Sequence, residues 1–213
     1  MKKIVYCNNS VTGGHYAFQN LKSKVPFCNP MRECKSIKLY KEDIVADIGA
    51  YVGEYSIYAS NQGVKKVLSY EATPETFNVL KMNKTDNMHI YNKAVVGDNS
   101  EEIELYLSKG IGATNSIAKK GMKAGYIKVP AIKYEEALQD ATVVKIDVEG
   151  AEYGYNIIQP QLRAIILEFH PLTKKDWMQM AYNIMNKIKS HGFKPIIEPT
   201  FKSGWDLNSS WVR

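Results

Sequence analysis

The segment Ile44–Ile48 constrains the fold more than any other part of the sequence. It is an almost continuous apolar run, interrupted only by Asp47 and followed at once by Gly49. A strand without an apolar–polar alternation must be buried on both faces, which is typical of a parallel sheet covered by helices on each side. The sequence therefore predicts that Ile44–Ile48 is a core strand of an α/β fold.

Strand and helix patterns alternate along the rest of the chain. The other predicted core strands are Lys66–Tyr70, His89–Val96, Val143–Asp147, Ala164–Glu168, Phe193–Glu198 and Ser209–Val212. The predicted helices are residues 53–61, a helix capped by Thr73 with Pro74 at its first position, and residues 174–191. We expect a seven-stranded, mostly parallel sheet of order 3-2-1-4-5-7-6 with helices on both faces. The final strand should be antiparallel, because no helix joins it to the strand before it.

Two further strand patterns, Glu102–Leu107 and Tyr126–Ile132, lie between the third and fourth core strands. The loop that separates them, Ser108–Gly125, is rich in glycine, serine and lysine. A loop of this length inside a compact domain is usually functional or mobile. We expect the two strands to form a hairpin-like extension.

Positive charge is concentrated in two segments, although the net charge of the whole chain is only +6. Residues 1–41 contain eight Lys and Arg side chains and a single acid, Glu33. The segment Leu105–Tyr134 contains no acid at all. We therefore predict a basic N-terminal segment, residues 1–41, that serves as a lid or binds substrate, and one further domain, residues 42–213. Solvated lysines on mobile segments and a phosphate-binding surface both fit this distribution.

The cysteines favour a reduced compartment, because Cys7, Cys28 and Cys34 are odd in number and contain no Cys-x-x-Cys pair. A zinc site formed by these residues and His15 is disfavoured by the same spacing, and no metal is predicted. The apolar stretch Ile4–Cys7 is too short for a signal peptide. No apolar run has the length of a membrane span. We expect a cytoplasmic protein without membrane partners.

An acid stands at the carboxyl end of four predicted core strands. These acids are Asp47, Glu71, Asp147 and Glu168. Ligands of open α/β sheets bind at this edge, and Gly49 and Gly53 would let the backbone approach one closely. An acid ahead of the glycines disfavours phosphate and suits a cationic nucleoside, namely S-adenosylmethionine. Glu71 lies 24 residues after Asp47, roughly where an acid binds the ribose in dinucleotide folds.

Four segments carry a more specific signal: residues 47–56, 70–77 and 92–95 and, most specifically, Lys145–Glu152 (Lys-Ile-Asp-Val-Glu-Gly-Ala-Glu). Together they resemble the FkbM family of class I S-adenosylmethionine-dependent methyltransferases. The resemblance extends from about residue 37 to Pro171. It implies a Rossmann-like fold and methylation of hydroxyl groups on sugars or other small molecules. The chain departs from the family after Glu152, where Tyr-Gly-Tyr-Asn replaces the usual aliphatic helix start, and residues 1–36 show no likeness.

The resemblance also implies the positions of the cofactor and the acceptor. The cofactor would lie against Asp47, Gly49, Ala50, Tyr51 and Gly53 on its methionine side, Glu71 at the ribose, Ala72 and Ala94 at the adenine, and Asp147. Asp147 and Glu149 would lie at the methyl-transfer end.

Hydroxyl methylation benefits from a base that removes the hydroxyl proton. Asp147 and Glu149 are the first candidates for this base, and His170, after the fifth core strand, is the second. Asp147 could instead only bind the cofactor amine, and His170 could only cap its strand. For Lys145 we expect a structural role or an ion pair with a neighbouring acid.

The acceptor is predicted to be a hydroxyl on a small molecule or glycan. RNA (tRNA or rRNA) is the alternative, bound by the basic residues of segments 1–41 and 108–125. The aromatic residues Tyr6, Tyr16, Phe18 and Phe27 are interleaved with the first of these segments, as a base-stacking surface requires. They could equally be the apolar side of a lid. A non-catalytic nucleoside-binding module is a third possibility, and no pattern in the sequence indicates an oligomeric state.

Overall fold

The structure is a computed structural model that describes residues 35–107, 115–116, 125–172, 176–197 and 207–213. The strands are β1 Ile44–Ile48, β2 Lys66–Tyr70, β3 Met88–Tyr91, β4 Ala94–Val96, β5 Glu102–Tyr106, β6 Tyr126–Lys133, β7 Val143–Ile146, β8 Ala164–Phe169, β9 Lys194–Ile197 and β10 Leu207–Val212. The α-helices wholly within this part of the chain are α1 Glu54–Asn61, α2 Pro74–Asn83, α3 Tyr134–Leu138 and α4 Trp177–Ser190, and Glu152–Gly154 is a 3₁₀ turn. None of these helices is long and apolar enough to cross a membrane.

Seven strands form the main sheet, in the order β3-β2-β1-β7-β8-β10-β9. The strand β1 pairs in parallel with both β2 and β7, which confirms the predicted core strand of a mainly parallel α/β sheet. The strand β10 lies between β8 and β9 and is antiparallel to both. The predicted order, 3-2-1-4-5-7-6, numbered seven strands only. The observed strand labels differ from it, because β4, β5 and β6 of the second sheet come between the third and fourth strands of this sheet along the chain.

The prediction of a single strand over His89–Val96 is wrong. The chain leaves the main sheet after β3, and β4 pairs in parallel with β6 in a second sheet of order β4-β6-β5. The strands β5 and β6 pair antiparallel, as the hairpin-like extension predicted, but β4 adds a third strand to it. The second sheet thereby places Ala94 beside the carboxyl edge of the main sheet, where it lines the cavity described below.

Both faces of β1 are buried, as its apolar sequence requires. Ala46 and Ile48 belong to a core cluster that includes residues of α3 and α4. Val45 belongs to a second cluster, on the side of α1 and α2. Helices thus cover both faces of the sheet, so a ligand can reach it at the ends of its strands.

The described part of the predicted N-terminal segment packs on the sheet. Ile37 is buried in the second cluster, and Ser36 Oγ lies 2.6 Å from Ser210 Oγ of β10. The Lys38 carbonyl accepts a hydrogen bond of 3.0 Å from the Arg163 guanidinium. Residues 1–34, with the three cysteines and most of the basic side chains, lie outside the described residues, so their lid or substrate-binding role stays a prediction.

Candidate active site

A cavity of about 330 Å³ lies at the carboxyl ends of β1, β2, β7 and β8. This volume is at the lower end of the range of small-molecule sites. The predicted site residues that line it are Gly49, Ala50, Tyr51, Glu71, Ala72, Ala94, Asp147, Glu149 and His170. Glu54, Thr73, Asn115 and Glu168 also line it, without having been predicted as site residues. Asp47 and Gly53 are not part of its described lining.

Gly49 allows the sharp turn that ends β1. Its φ is +79°, in the left-handed region that favours glycine. The backbone N–H groups of Gly49 and Ala50 both donate to the Tyr70 carbonyl, at 3.1 and 2.8 Å. A Cβ atom on Gly49 would lie 1.8 Å from the Asp147 carbonyl oxygen. The turn can therefore pass this close to the end of β7 only with a glycine.

Gly53 and Asp47 are outside the described lining of the cavity and instead contact the helices that follow the turn. Gly53 precedes α1, and a Cβ atom there would lie 2.7 Å from Leu80 Cδ1, so this glycine lets α1 pack closely on α2. Asp47 is completely buried and accepts a hydrogen bond of 2.6 Å from Ser56 Oγ of α1. The contact of Asp47 with the cofactor, which the resemblance implies, stays a prediction.

Lys145 connects the turn to β7. Its Nζ donates to the Gly49 carbonyl at 2.9 Å and lies 3.1 Å from Asp147 Oδ2 and 3.5 Å from Asp47 Oδ1. The predicted ion pair is thus confirmed, with two acids instead of one. Because a buried charge without a counter-ion is costly, this lysine permits Asp47 to be buried under the site.

Glu71 presents a carboxylate that the backbone holds in place. Its Oε1 accepts from the Thr73 N–H at 2.8 Å, and its Oε2 accepts from the Tyr51 N–H at 3.0 Å. Burial raises the pKa of Glu71 to about 7, although these hydrogen bonds oppose the shift. The Thr73 side chain also hydrogen-bonds to this carboxylate, so three protein groups hold it in place.

Asn92 fixes the backbone that follows β2. Its side-chain amide donates to the Glu71 and Ala72 carbonyls at 2.8 and 3.1 Å. Asn92 belongs to the third segment that carried the family resemblance. Its contacts explain a sequence feature to which the prediction gave no role.

Acids surround the imidazole of His170 at the opposite end of the cavity. Its Nε2 lies 3.4 Å from Glu149 Oε1, 3.7 Å from Asp147 Oδ1 and 3.8 Å from Glu168 Oε1, and its Nδ1 lies 3.5 Å from Glu152 Oε1. Burial alone would lower the pKa of His170, but the Glu149 and Glu152 carboxylates outweigh it and raise this pKa to about 11. An imidazole that is already protonated cannot act as a base, so Asp147 and Glu149 are the better candidates for that role.

Two residues of the long loop, Asn115 and Ser116, form hydrogen bonds to residues that line the cavity. Asn115 Nδ2 donates to Thr73 Oγ1 at 3.2 Å, and Ser116 Oγ donates to the Glu149 carbonyl at 2.5 Å. Thr73 occupies the N-cap position of α2, but its side chain makes no capping hydrogen bond, so that part of the helix prediction is wrong. Ser116 also exchanges two backbone hydrogen bonds with Tyr106 of β5. Neither residue was predicted, because the length and the basic character of the loop do not single out Asn115 or Ser116.

Ser116 is expected to stabilise the backbone of Glu149, which has a left-handed φ of 55°. Replacing Ser116 with alanine should lower the free energy of unfolding by about 1 kcal/mol, the value of one net hydrogen bond. Urea unfolding measures this loss. The matched control is Ser190→Ala, because Ser190 Oγ donates to a carbonyl at an exposed position and its loss should be within about 0.5 kcal/mol of zero. Equal losses in the two variants would contradict a special role for Ser116.

Comparison with known proteins adds a family and a fold. The family model of the methyltransferase FkbM domain matches residues 47–195. No curated protein sequence matches the chain.

Among solved structures, the methyltransferase FkbM from Methylobacillus flagellatus KT is similar, with a TM-score of 0.55 and 11% identity over 82% of this chain and 44% of that one. This chain thus covers less than half of that structure. A putative S-adenosylmethionine-dependent methyltransferase from Listeria monocytogenes has a TM-score of 0.48 and 13% identity, over 85% of this chain and 95% of that one. The precorrin-6Y C5,15-methyltransferase from Geobacter metallireducens has a TM-score of 0.47 and 14% identity, over 85% of both chains. At 11% identity the likeness to the Methylobacillus structure concerns the fold alone.

Proposed function

The chain belongs to the FkbM methyltransferase domain family, and from this membership we propose that it uses S-adenosylmethionine to methylate a hydroxyl group on a small molecule or glycan. The charge of the cavity supports this cofactor most directly. The acids in its described lining are Glu54, Glu71, Asp147, Glu149 and Glu168, and the lysines are Lys93 and Lys145. Such a wall repels phosphate groups and attracts a ligand with a sulfonium and an ammonium group.

The residues that line the cavity suit the ribose, the base and the methyl-bearing sulfur of this cofactor. Glu71 would accept hydrogen bonds from the ribose hydroxyls, because it lines the cavity and its carboxylate is held in place by hydrogen bonds. The small side chains of Ala72 and Ala94 would leave room for the flat base. When bound, the cofactor supplies an electrophilic methyl group on a positively charged sulfur. The carboxylates of Asp147 and Glu149 would lie at that end.

The proposed reaction needs a positioned acceptor and a base. The acceptor oxygen forms the new bond to the methyl carbon, the carbon–sulfur bond breaks with its electron pair going to sulfur, and the hydroxyl proton passes to a carboxylate oxygen of Asp147 or Glu149. General-base catalysis of this kind contributes a factor of about 100 to 10,000. His170 adds positive charge beside the two carboxylates and does not compete for the proton.

Cofactor affinity is expected to fall as the pH decreases below about 7, because protonation of Glu71 removes an acceptor of the ribose hydroxyls. The raised pKa means that Glu71 is ionised above pH 7, so binding should be strongest there. Below it, the dissociation constant should rise about tenfold per pH unit, the slope for one proton. Calorimetry between pH 5.5 and 8.5 measures this dependence.

The variant Glu71→Gln should bind the cofactor about 10- to 100-fold more weakly at pH 8, since hydrogen bonds to a charged group contribute about 1.5–3 kcal/mol. Its affinity should no longer depend on pH in this range. Glu75→Gln is the matched control, because Glu75 is exposed on α2 and outside the cavity. A wild-type pH profile in Glu71→Gln would show that another group titrates.

The proposed function is tested in two steps. Calorimetry with S-adenosylmethionine tests the cofactor, and absence of binding at millimolar concentration would refute the proposal. Transfer of a labelled methyl group to a panel of neutral oligosaccharides, other hydroxyl compounds and tRNA then tests the acceptor. Transfer to tRNA alone, with an affinity that falls steeply with salt, would replace the small-molecule acceptor by RNA. Cofactor binding without transfer to any acceptor would favour a non-catalytic nucleoside-binding module.

A further inference from the structure

The acceptor end of the cavity contains one histidine and two carboxylates in an arrangement that suits a metal ion. One ligand atom from each of Asp147, Glu149 and His170 lies within 4.8 Å of the others. We propose that these three residues bind a divalent transition-metal cation, for which Mn²⁺ is the probe. This inference rests on the proposed function, since the cation would bind the acceptor oxygen.

The distances between the donor atoms match a shared cation. His170 Nε2 lies 3.4 Å from Glu149 Oε1 and 3.7 Å from Asp147 Oδ1. Metal bonds of about 2.1 Å place neighbouring ligand atoms about 3.0–3.4 Å apart in octahedral or tetrahedral geometry. The two separations from His170 are slightly larger than this, and all three ligand atoms lie within 4.8 Å of one another, so the side chains would have to close on the cation. A set with one imidazole and two carboxylates suits Mn²⁺ or Zn²⁺ better than a cation that prefers oxygen alone.

The imidazole itself is a buried polar group aimed into this cluster. Its side chain is only 4% exposed. Its Nε2 is at least 3.4 Å from the cluster's carboxylate oxygens, beyond the usual hydrogen-bond range of 2.7–3.2 Å. Its Nδ1 contacts Glu152, away from the cluster. A cation on Nε2 would displace the proton that the surrounding acids hold on this imidazole, because only a neutral imidazole binds a metal.

Glu152 supports His170 in the way that carboxylates support metal-binding histidines. Its Oε1 lies 3.5 Å from His170 Nδ1, on the side of the ring away from the cluster. Glu152 is completely buried and accepts backbone N–H groups from Gly150 at 2.8 Å and from His170 at 2.7 Å. A carboxylate on the second ring nitrogen orients the ring and leaves Nε2 as the metal ligand.

The cavity gives the proposed cation access to the acceptor. The side chains of Asp147 and Glu149 are 28% and 20% exposed, and both line the cavity. A coordination position on that side would be open to the acceptor hydroxyl. A bound cation lowers the pKa of such a hydroxyl. Its proton would then pass to a carboxylate oxygen of Asp147 or Glu149 that is not bound to the cation.

The test is a titration of the chelator-treated full chain with Mn²⁺ alone, followed by electron paramagnetic resonance and calorimetry. Wild type should bind one Mn²⁺ per chain. Asp147→Asn and Glu149→Gln should each weaken binding at least tenfold, while retaining wild-type circular dichroism. Glu104→Gln is the matched control, because Glu104 is an exposed acid on β5 outside the cavity, and it should bind as wild type does. No saturable binding by wild type, or unchanged binding in the double variant Asp147→Asn, Glu149→Gln, would overturn the proposal.

Separate measurements distinguish this proposal from the proposed function. Unchanged cofactor binding and methyl transfer in excess chelator would overturn the cation and leave the methyltransferase function intact. Saturable Mn²⁺ binding that is lost in the two variants, in a protein that binds no S-adenosylmethionine, would support the metal site and refute the proposed cofactor.

Discussion

Replacing Gly49 with alanine is expected to lower the free energy of unfolding by about 2–5 kcal/mol or to prevent folding altogether. The left-handed backbone costs an alanine about 1–2 kcal/mol. The new Cβ atom would also lie 1.8 Å from the Asp147 carbonyl oxygen, so β1 and β7 would have to separate at the cavity. Forced insertion of a methyl group into a packed site costs about 1–3 kcal/mol more. Urea unfolding followed by circular dichroism measures the loss.

Gly63→Ala separates the two causes. Gly63 has nearly the same φ, +78°, but a Cβ atom there would meet no atom within 4 Å. This variant should lose only about 1–2 kcal/mol, the cost of the backbone conformation. Equal losses in the two variants would show that contact with β7 contributes nothing.

Replacing Glu152 with alanine is expected to cost about 3–5 kcal/mol, the range for breaking a buried ion pair. The variant would lose the acceptor of two backbone N–H groups and the carboxylate beside His170 Nδ1. The buried donors would then have no partner, which is the larger part of the cost. Chemical denaturation provides the measurement.

Glu102→Ala is the control for Glu152→Ala. Glu102 lies 3.0 Å from Lys128 Nζ, but both side chains are more than half exposed. An exposed ion pair contributes about 0–1 kcal/mol, so this variant should unfold almost as wild type does. A comparable loss in both variants would contradict the importance of burial at Glu152.

The parts of the fold that follow from local sequence were predictable. Ile44–Ile48 could be placed between two parallel strands, because only a buried strand lacks polar alternation. The break between β3 and β4 was not predictable, since no glycine or proline interrupts His89–Val96. It depends on pairing with β6, which lies more than 30 residues further along the chain.

The same distinction holds for the site. The acids at the strand ends could be identified, because the carboxyl ends of parallel strands meet at one edge. Ser116 and Glu149 are 33 residues apart, so their hydrogen bond is a long-range contact that no local sequence pattern predicts. The metal prediction considered only the spacing of cysteines. The cluster of Asp147, Glu149 and His170 exists only because β7 and β8 are neighbours.

The position of β10 has a consequence for biosynthesis. The strand β8, whose six residues are all buried, pairs with β7 on one side and with β10 on the other. The ribosome makes β10 after every other strand described here, so a nascent chain displays the unpaired edge of β8 until then. Exposed apolar edges of this kind promote aggregation. Chaperone protection of this edge during translation should therefore raise the yield of this protein.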